Sequence, residues 1–271
     1  MIMSQSIKTQ LMGIVNITDD SFSDGGKYLN TDKAINHALQ LYKEGADIID
    51  LGAASSNIHS GSVSEEVEIS RLTPVIEELK SKKIPISIDT FKPAIQKVCL
   101  KLKVDYLNDI QGFPYPEIYS DLSAAKDCKL IAMHSMQRIG TATIMETEPK
   151  AVFNAMITFF EQRINKLHKA GIENERLIVD PGMGFFLGSD PTVSTYMLKN
   201  LNLIADKFKL PILIGISRKS FLSKISGCNK SDCAAATLAA ELYAARNGAN
   251  IIRTHEVKQL QQGLSIQNAL E

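Results

Sequence analysis

Short runs of Ile, Val, Leu and other apolar residues recur eight times along the chain, separated by more polar segments. The runs occupy residues 10–18, 46–52, 84–90, 104–110, 129–135, 176–182, 210–218 and 249–255. Each run is apolar on both faces, which is typical of strands that are covered on both sides in a parallel sheet. The pattern therefore predicts eight parallel strands.

Several segments between these runs carry apolar residues at helical spacing. Helices are predicted over 31–45, 64–82, 93–102, 153–171 and 231–248. Gly45 stands where a helix commonly ends, and Pro93 falls in a first turn, where its missing N–H costs nothing. Eightfold alternation of strand and helix in 271 residues predicts an α/β fold, a (β/α)8 TIM barrel, with an open doubly wound sheet as the alternative.

The sequence shows no linker or shift in composition that would divide it, so a single domain spanning residues 1–271 is expected. Two loops rich in Gly and Ser, at 18–28 and 53–64, follow the first and second strands. Long loops at the catalytic end of a barrel are candidate lids, because such loops often close over a bound substrate.

Composition excludes several classes of partner. Thirty basic residues balance thirty acidic ones, and the formal net charge is +0, which favours neither nucleic acid nor a membrane surface. No apolar run approaches the roughly 18 residues of a membrane span, and the N-terminus lacks the apolar core of a signal peptide. The cysteines form no CxxC pair and are expected as reduced thiols in a cytoplasmic protein. They are Cys99, Cys128, Cys228 and Cys233.

Polar side chains follow seven of the eight predicted strands. They are Asn16, Asp89, Asn108, Asp109, His134, Asp180, Ser217, Arg218, Lys219, Arg253 and His255. In a barrel these strand ends meet on one face, where active sites lie. Any one of these residues could simply cap the next helix. Seven strand ends of this kind are poorly explained by capping, since unpaired polar groups beside a core are costly.

The chemistry of these side chains falls into two sets. The first set consists of Asp89, Asn108 and Asp180. It could bind the edge of a flat, nitrogen-rich heterocycle through paired hydrogen bonds. The second set consists of Asn16, Lys219, Arg253 and His255. It suits a phosphate or pyrophosphate with Mg²⁺, which prefers oxygen ligands and substrate phosphates. The His and Cys clusters of zinc sites and the common nucleotide and hydrolase motifs are absent from the sequence.

Six motifs in order give the chain a family resemblance. They are MGIVNITDDSFSDGG, IDTFKP, NDI, DPGMGF, GISRKSF and IIRTHEV, and they extend from about residue 11 to residue 260. The chain resembles the dihydropteroate synthases. The resemblance implies a pterin-binding TIM barrel, a homodimer that uses Mg²⁺. Its implied reaction joins p-aminobenzoate to 6-hydroxymethyl-7,8-dihydropterin pyrophosphate, giving 7,8-dihydropteroate and pyrophosphate in folate biosynthesis.

The resemblance also implies roles for individual residues. The pterin would be held by Asp89, Asn108, Asp180 and Lys219. The pyrophosphate would be held by Asn16, Arg253 and His255, with Mg²⁺ at Asn16. The p-aminobenzoate site would be lined by Arg218 and Ser220, under a first loop that carries Phe22 and Asp24. The catalytic residues would be Asp24, Asp89, Lys219 and Arg253.

The second loop departs from the family pattern. Where the family has Thr-Arg-Pro, this chain has Ser56, Asn57 and Ile58, and Ala54 replaces an acidic residue. This loop resembles that of a divergent branch, the mobile, plasmid-borne synthases that resist sulfonamides and lack the loop arginine. The alternatives are a pterin-binding methyltransferase barrel and a pterin-binding paralogue without catalytic activity.

The segment DPGMGFFLG, residues 180–188, places two aromatic rings in a glycine-rich loop. A rigid ring at the p-aminobenzoate site could admit a planar carboxylate and clash with a bulkier sulfonyl group. Phe185 is expected to be this ring, because it directly follows Gly184, and Phe186 is expected to pack into the neighbouring helix. Discrimination against sulfonamides is thus expected from Phe22, Ser56, Phe185, Arg218 and Ser220.

Overall fold

A computed structural model of the chain describes residues 9–17, 26–54, 63–136, 148–229 and 232–270. It contains eight parallel strands, each at the position of a predicted apolar run. They are β1 (Gln10–Asn16), β2 (Ile48–Gly52), β3 (Ile86–Asp89), β4 (Tyr106–Asp109), β5 (Lys129–Met133), β6 (Leu177–Asp180), β7 (Leu213–Ile214) and β8 (Ile251–Thr254).

The strands form one sheet in the order β6-β5-β4-β3-β2-β1-β8-β7. A parallel bridge between Val179 and Ile212 joins the two outer strands, so the sheet curves into a nearly closed barrel. The predicted (β/α)8 barrel is confirmed. The doubly wound sheet is excluded, because its outer strands would not meet.

Ten α-helices occur within the described residues. They are α1 (Gly26–Lys43), α2 (Glu65–Ser81), α3 (Pro93–Lys101), α4 (Tyr119–Ala124), α5 (Pro149–Lys169), α6 (Pro191–Lys199), α7 (Leu201–Phe208), α8 (Ser220–Ser226), α9 (Ala234–Arg246) and α10 (Val257–Leu270). The five predicted helices correspond to α1, α2, α3, α5 and α9, with ends that shift by several residues. The other five were not predicted. Four of them span nine residues or fewer, too few turns for a clear apolar pattern, whereas α10 spans 14 residues and was missed despite its length.

Local sequence explains where several helices begin. Pro93 occupies the first turn of α3, as predicted. The Glu148 carboxylate accepts hydrogen bonds from two backbone N–H groups at the start of α5, and Asp190 Oδ1 accepts from the Thr192 N–H at the start of α6. Each side chain satisfies donors that a first turn leaves without partners.

The barrel interior is filled at its lower end by one apolar side chain from each of seven strands. These are Met12, Ile48, Tyr106, Ile131, Ile178, Leu213 and Ile251. A second, larger apolar cluster packs the outer faces of the strands against the helices. On β3 the residue of this layer is Ser87, which pairs with Tyr106 and is fully buried. The lower interior layer is therefore apolar apart from one hydroxyl, and the charged residues inside the barrel lie toward its carboxyl end.

Two further findings concern the cysteines and the membrane. Cys228 and Cys233 form a disulfide between α8 and α9, whereas Cys99 and Cys128 are free and buried. The expectation of four reduced thiols is therefore wrong for one pair. Across the described ranges, no helix is long and apolar enough to cross a membrane.

Candidate functional site

The site is built from the layer of side chains directly above the apolar layer inside the barrel. Alternate residues of a strand point to the same side, so the residue two positions further on also points inward. On seven strands these residues are Ile14, Asp50, Asn108, Met133, Asp180, Gly215 and Arg253. On β3 the equivalent residue is Asp89, which pairs with Asn108 across the sheet. Period-two geometry thus brings polar residues from five strands into one ring.

Above this ring lies a cavity of about 490 Å³. Its wall includes all of the described residues predicted to hold the pterin or the pyrophosphate. They are Asn16, Asp89, Asn108, Asp180, Lys219, Arg253 and His255. Residues far apart in the sequence therefore converge on one cavity at the carboxyl end of the barrel, where a TIM barrel places its active site.

Arg253 lies between two carboxylates. Its Nε donates to Asp50 Oδ2 at 2.6 Å, and its Nη2 donates to Asp89 Oδ2 at 2.8 Å. Burial opposes the charge on Arg253, but the two carboxylates outweigh it and raise its pKa. The guanidinium is therefore a permanent cation with a fixed orientation.

The two aspartates of the predicted pterin set have raised pKa values. Burial raises the pKa of Asp180 to about 6, although the Gly182 N–H donates to its Oδ1 at 2.8 Å. Burial also raises the pKa of Asp89 to about 6; Arg253 lowers it and Asp50 raises it. Both groups are carboxylates at neutral pH. As carboxylates with little exposure to solvent, they can bind N–H groups of a ligand strongly.

Lys219 and Asn108 complete the deep part of the cavity. Burial and the nearby Arg253 lower the pKa of Lys219 to about 8, against the opposing effect of Asp180 and Asp89. Asn108 is only 3% exposed. Its Oδ1 has no hydrogen-bond partner among the described residues. A buried acceptor of this kind is costly unless a ligand or water pairs with it, so Asn108 is suited to receive an N–H from a bound heterocycle.

The rim of the cavity carries Asn16, His255 and Arg218. Ser217 Oγ lies 2.9 Å from His255 Nδ1, and burial, with nearby cations, lowers the pKa of His255 to about 3. The imidazole is therefore neutral and can contribute a hydrogen bond, without a charge, to a bound phosphate. Arg218 is exposed and pairs with Glu256 at 2.6 Å. Ser220 begins α8 and lies beside the cavity, outside its lining.

The orientation of the two phenylalanines differs from the prediction. Residues Gly184–Phe186 form a single 3-10 turn, and Gly184 has a left-handed backbone with φ of 64°. Phe186 lines the cavity, with the Lys219 Nζ 4.8 Å from its ring centroid. Phe185 is 45% exposed and lies outside the lining. The expectation that Phe185 faces the site and Phe186 packs into a helix is therefore wrong.

Two strand-end residues face away from the cavity. Asp109 follows the inward-facing Asn108 and accepts from Gln96 at 2.9 Å. His134 follows Met133 and packs against the Phe159 ring. Both side chains support structure outside the barrel. Three predicted site residues, Phe22, Asp24 and Ser56, lie outside the described part of the chain, as do Asn57 and Ile58.

The sequence-based prediction missed three charged residues. Asp50 lies in the middle of β2 and is fully buried. The sequence feature that could have identified Asp50 is a carboxylate inside an apolar run, two residues before the end of the strand. Glu68 and Lys92 form an ion pair on the cavity wall, and the Lys92 Nζ also donates to Val63 O at 2.8 Å. This pair holds the end of the second loop against the start of α3.

A magnesium ion could be held at Asn16. Its side chain is on the cavity wall at the exposed end of β1, and an amide oxygen is a ligand that Mg²⁺ accepts. The described residues contain no group of three or more His, Cys, Asp or Glu arranged for a metal. The donor set thus fits a Mg²⁺ ion that takes its other ligands from substrate phosphates and water.

Comparisons with known proteins agree with this geometry. The family model for pterin binding enzymes matches residues 12–255. The chain is 58% identical to the dihydropteroate synthase type-3 of Escherichia coli over 262 residues, covering 97% of this chain and 99% of that protein. It is 48% identical to the type-2 enzyme of Escherichia coli over 261 residues, covering 96% of each.

Solved structures give the same result. The dihydropteroate synthase of Anaplasma phagocytophilum with bound 6-hydroxymethylpterin-monophosphate superposes with a TM-score of 0.87 and 33% identity, covering 97% of this chain and 99% of that one. The dihydropteroate synthase of Xanthomonas albilineans with 4-aminobenzoic acid superposes with a TM-score of 0.86 and 32% identity, covering 97% of this chain and 93% of that one. Related barrels of this size therefore bind a pterin phosphate and an aminobenzoate.

Proposed function

The chain belongs to the pterin-binding enzymes and, within them, to the dihydropteroate synthases of folate biosynthesis, and on that premise we propose how its cavity performs the synthase reaction. The observation that carries the proposal is the convergence of Asp89, Asn108, Asp180, Lys219 and Arg253 on one cavity. A pterin phosphate and an aminobenzoate, the ligands of two structural relatives, match the acceptors and the cations that line it.

The pterin is recognised at the bottom of the cavity. Asp180 and Asp89, as carboxylates, accept N–H groups from the ring, and Asn108 offers both an acceptor and a donor. Lys219 lies beside them and donates to the acceptors of the ring. The cost of burying these groups without a ligand is recovered when the pterin pairs with them, because its edge supplies the missing partners.

The leaving group is held above the pterin. Arg253, His255 and Asn16 lie on the same wall of the cavity. Arg253 supplies a fixed positive charge and His255 a neutral hydrogen bond. Mg²⁺ at Asn16, when bound, would supply further charge neutralisation. Departure of pyrophosphate breaks the bond between the pterin methylene carbon and oxygen, and the electron pair leaves with pyrophosphate.

The cation that remains on the pterin is stabilised by carboxylates. Asp89 and Asp180 face it from the cavity wall, where fixed charges of the protein are more effective than in bulk water. The amine nitrogen of p-aminobenzoate then donates its lone pair to the methylene carbon and loses a proton. This order of steps requires no covalent enzyme intermediate. Asp24, predicted as a catalytic residue in the first loop, keeps that role as a proposal.

Discrimination against sulfonamides is assigned to the wall formed by Phe186. The Lys219 Nζ lies over the face of its ring, and the Phe185 ring is edge-on to it with 6.3 Å between the centroids. Arg218 and Ser220 lie next to this wall and would receive the substrate carboxylate. A rigid ring here leaves room for a planar carboxylate and little for a tetrahedral sulfonyl group. Phe22 and Ser56 would contribute from the two loops.

Complementation tests both the activity and the resistance. A bacterium that lacks its own synthase would carry this gene, a Phe185→Ala variant or a Phe186→Ala variant, with and without sulfamethoxazole. The wild-type gene should support growth in both conditions. Phe186→Ala should support growth only without the drug, and Phe185→Ala should retain most of the resistance. Resistance that survives Phe186→Ala and disappears with Phe185→Ala would reverse the assignment.

Two further expectations belong to the proposal. They are a homodimeric state, which the family resemblance implies, and a cytoplasmic location, which the cysteine pattern suggested. Light scattering of the purified protein should give about twice the 29.8 kDa of one chain, and a monomer at micromolar concentration would contradict the first. Cell fractionation should recover the protein with cytoplasmic enzymes, and recovery elsewhere would contradict the second.

A further inference from the structure

Asp50 is a buried carboxylate that has no role in the proposed reaction. It lies in the middle of β2 and is 0% exposed. Its Oδ2 accepts from Arg253 Nε at 2.6 Å, and its Oδ1 has no hydrogen-bond partner among the described residues. Burying a carboxylate is costly unless it is paired and hydrogen-bonded. Its ion pair with Arg253 therefore indicates that Asp50 acts on Arg253.

We propose that Asp50 is a positioning residue that anchors Arg253 through Nε while Nη2 moves from Asp89 to the pyrophosphate of the substrate. The proposal rests on the proposed role of Arg253 as a pyrophosphate ligand. Asp50 contacts no substrate in this arrangement and acts through Arg253.

The two carboxylates that hold Arg253 differ in accessibility. The Asp50 side chain is 0% exposed and the Asp89 side chain is 26% exposed. Asp89 is therefore the partner that an arriving pterin can reach. When the pterin takes Asp89 Oδ2, Arg253 Nη2 loses its acceptor and becomes available to the phosphate groups. Asp50 lies below the cavity wall and keeps its bond to Nε throughout.

The charges support the same sequence of events. In the unbound site Arg253 is compensated by two carboxylates. If Asp89 were its only partner, pterin binding would leave a buried guanidinium without a counterion, and breaking a buried ion pair in this way is strongly unfavourable. With Asp50 in place, the cation stays paired while it changes its second partner. Binding of the pterin and binding of pyrophosphate are then coupled, and each strengthens the other.

An Asp50→Asn variant tests the proposal. The amide oxygen can still accept from Arg253 Nε, but the charge is gone. Calorimetry would measure three affinities: that of 6-hydroxymethylpterin for the free protein, that of pyrophosphate with Mg²⁺ for the free protein, and that of pyrophosphate with Mg²⁺ for the protein saturated with the pterin. In the wild type, the pterin should tighten pyrophosphate binding. In the variant, pyrophosphate binding to the pterin complex should weaken about 10- to 100-fold, the range for one charged hydrogen bond.

Three further readouts distinguish positioning from simple structural support. In the variant, the affinity for the pterin alone and the KM for p-aminobenzoate should stay within about threefold of the wild-type values. The kcat should decrease together with the affinity for pyrophosphate. When Arg253 is already replaced by Lys, Asp50→Asn should cause little further loss of pyrophosphate affinity, because the effects of substitutions at residues that act through one another are not additive. Asp47→Asn is the matched control: Asp47 Oδ2 accepts from the Leu11 N–H beside the same strand, outside the cavity lining. It should leave ligand binding unchanged.

Uniform weakening of all ligands, or unchanged pyrophosphate binding in Asp50→Asn, would overturn the proposal. If Asp50→Asn fails to fold, Asp50→Glu replaces it. This variant keeps the charge and displaces the carboxylate by one methylene group, and it must show the same selective loss. A wild-type protein that makes no dihydropteroate would refute the proposed function instead, so the two failures are distinguishable.

Discussion

Asp180→Asn should make the protein more stable and less active. Asp180 is 6% exposed, and burial raises the pKa of its carboxyl from 3.8 to about 6. The folded state therefore holds the proton more tightly than the unfolded chain does. As pH rises from about 4 to about 6, the stability of the wild type decreases and then stays lower, because the buried group must ionise. Asparagine has the same shape and cannot ionise.

The size of both effects follows from the structure. A pKa that rises from 3.8 to about 6 corresponds to about 3 kcal/mol at neutral pH, an upper limit for the gain in stability. For a protein of this size, that equals roughly 6 to 10 °C in Tm. The amide oxygen can keep the Gly182 N–H bond. The lost charged acceptor toward the pterin is worth about 1.5 to 3 kcal/mol, so kcat/KM should fall about 10- to 150-fold.

Thermal unfolding at pH 4 and pH 8, together with steady-state kinetics, tests this prediction. The difference in Tm should be large at pH 8 and small at pH 4, where both side chains are neutral. Asp190→Asn is the control. Its Oδ1 accepts from the Thr192 N–H and its pKa is lowered by that bond, so this variant should gain no stability and keep its activity. An Asp180→Asn protein that is less stable at pH 8, or fully active, would refute the reasoning.

Three other predictions concern pH and packing. The kcat/KM for the pterin substrate should rise through about pH 6, as Asp89 and Asp180 ionise, and fall through about pH 8, as Lys219 loses its proton; a flat pH profile from 5 to 9 would contradict these roles. Gly182→Ala should lower the free energy of unfolding by about 3 kcal/mol or more, because its Cβ would lie 2.3 Å from the His134 carbonyl oxygen. Gly227→Ala has nothing within 4 Å of its Cβ and should lower it by only about 1 to 2 kcal/mol, the cost of a left-handed backbone. Equal losses of the two variants in urea unfolding would show that the clash with His134 has no effect. Lys92→Met should destabilise the protein by about 3 kcal/mol, because it leaves the buried Glu68 without its partner. Adding Glu68→Gln should recover part of that loss, and no recovery would show that the pair is not the cause.

Much of the fold was predictable because apolar runs and helical spacing are local signals. The eight strands lie where the runs lie, and the ring of polar residues follows from the strand ends. The β7 strand shows the limit: a predicted run at 210–218 pairs as a strand only over Leu213–Ile214. Short helices such as α7 and α8 carry too few turns for a clear pattern.

The site could be predicted as a set of residues, and only in part as a geometry. Sequence alone does not tell which of two adjacent strand-end residues points into the barrel. Asn108 faces the cavity and Asp109 faces α3, a choice that depends on the strand register. Asp50 was missed because it precedes the strand end, although it shares the inward side. The orientation of Phe186 depends on the left-handed backbone at Gly184, which no local pattern specifies.

The most direct test is the reaction itself. Purified protein would be mixed with 6-hydroxymethyl-7,8-dihydropterin pyrophosphate, p-aminobenzoate and Mg²⁺, and both products would be quantified over time. We expect equal amounts of dihydropteroate and pyrophosphate, formed over many turnovers, and a loss of about 10-fold or more when Lys219 is replaced by Met. A protein that binds the pterin substrate tightly and forms neither product would contradict the assignment as a synthase.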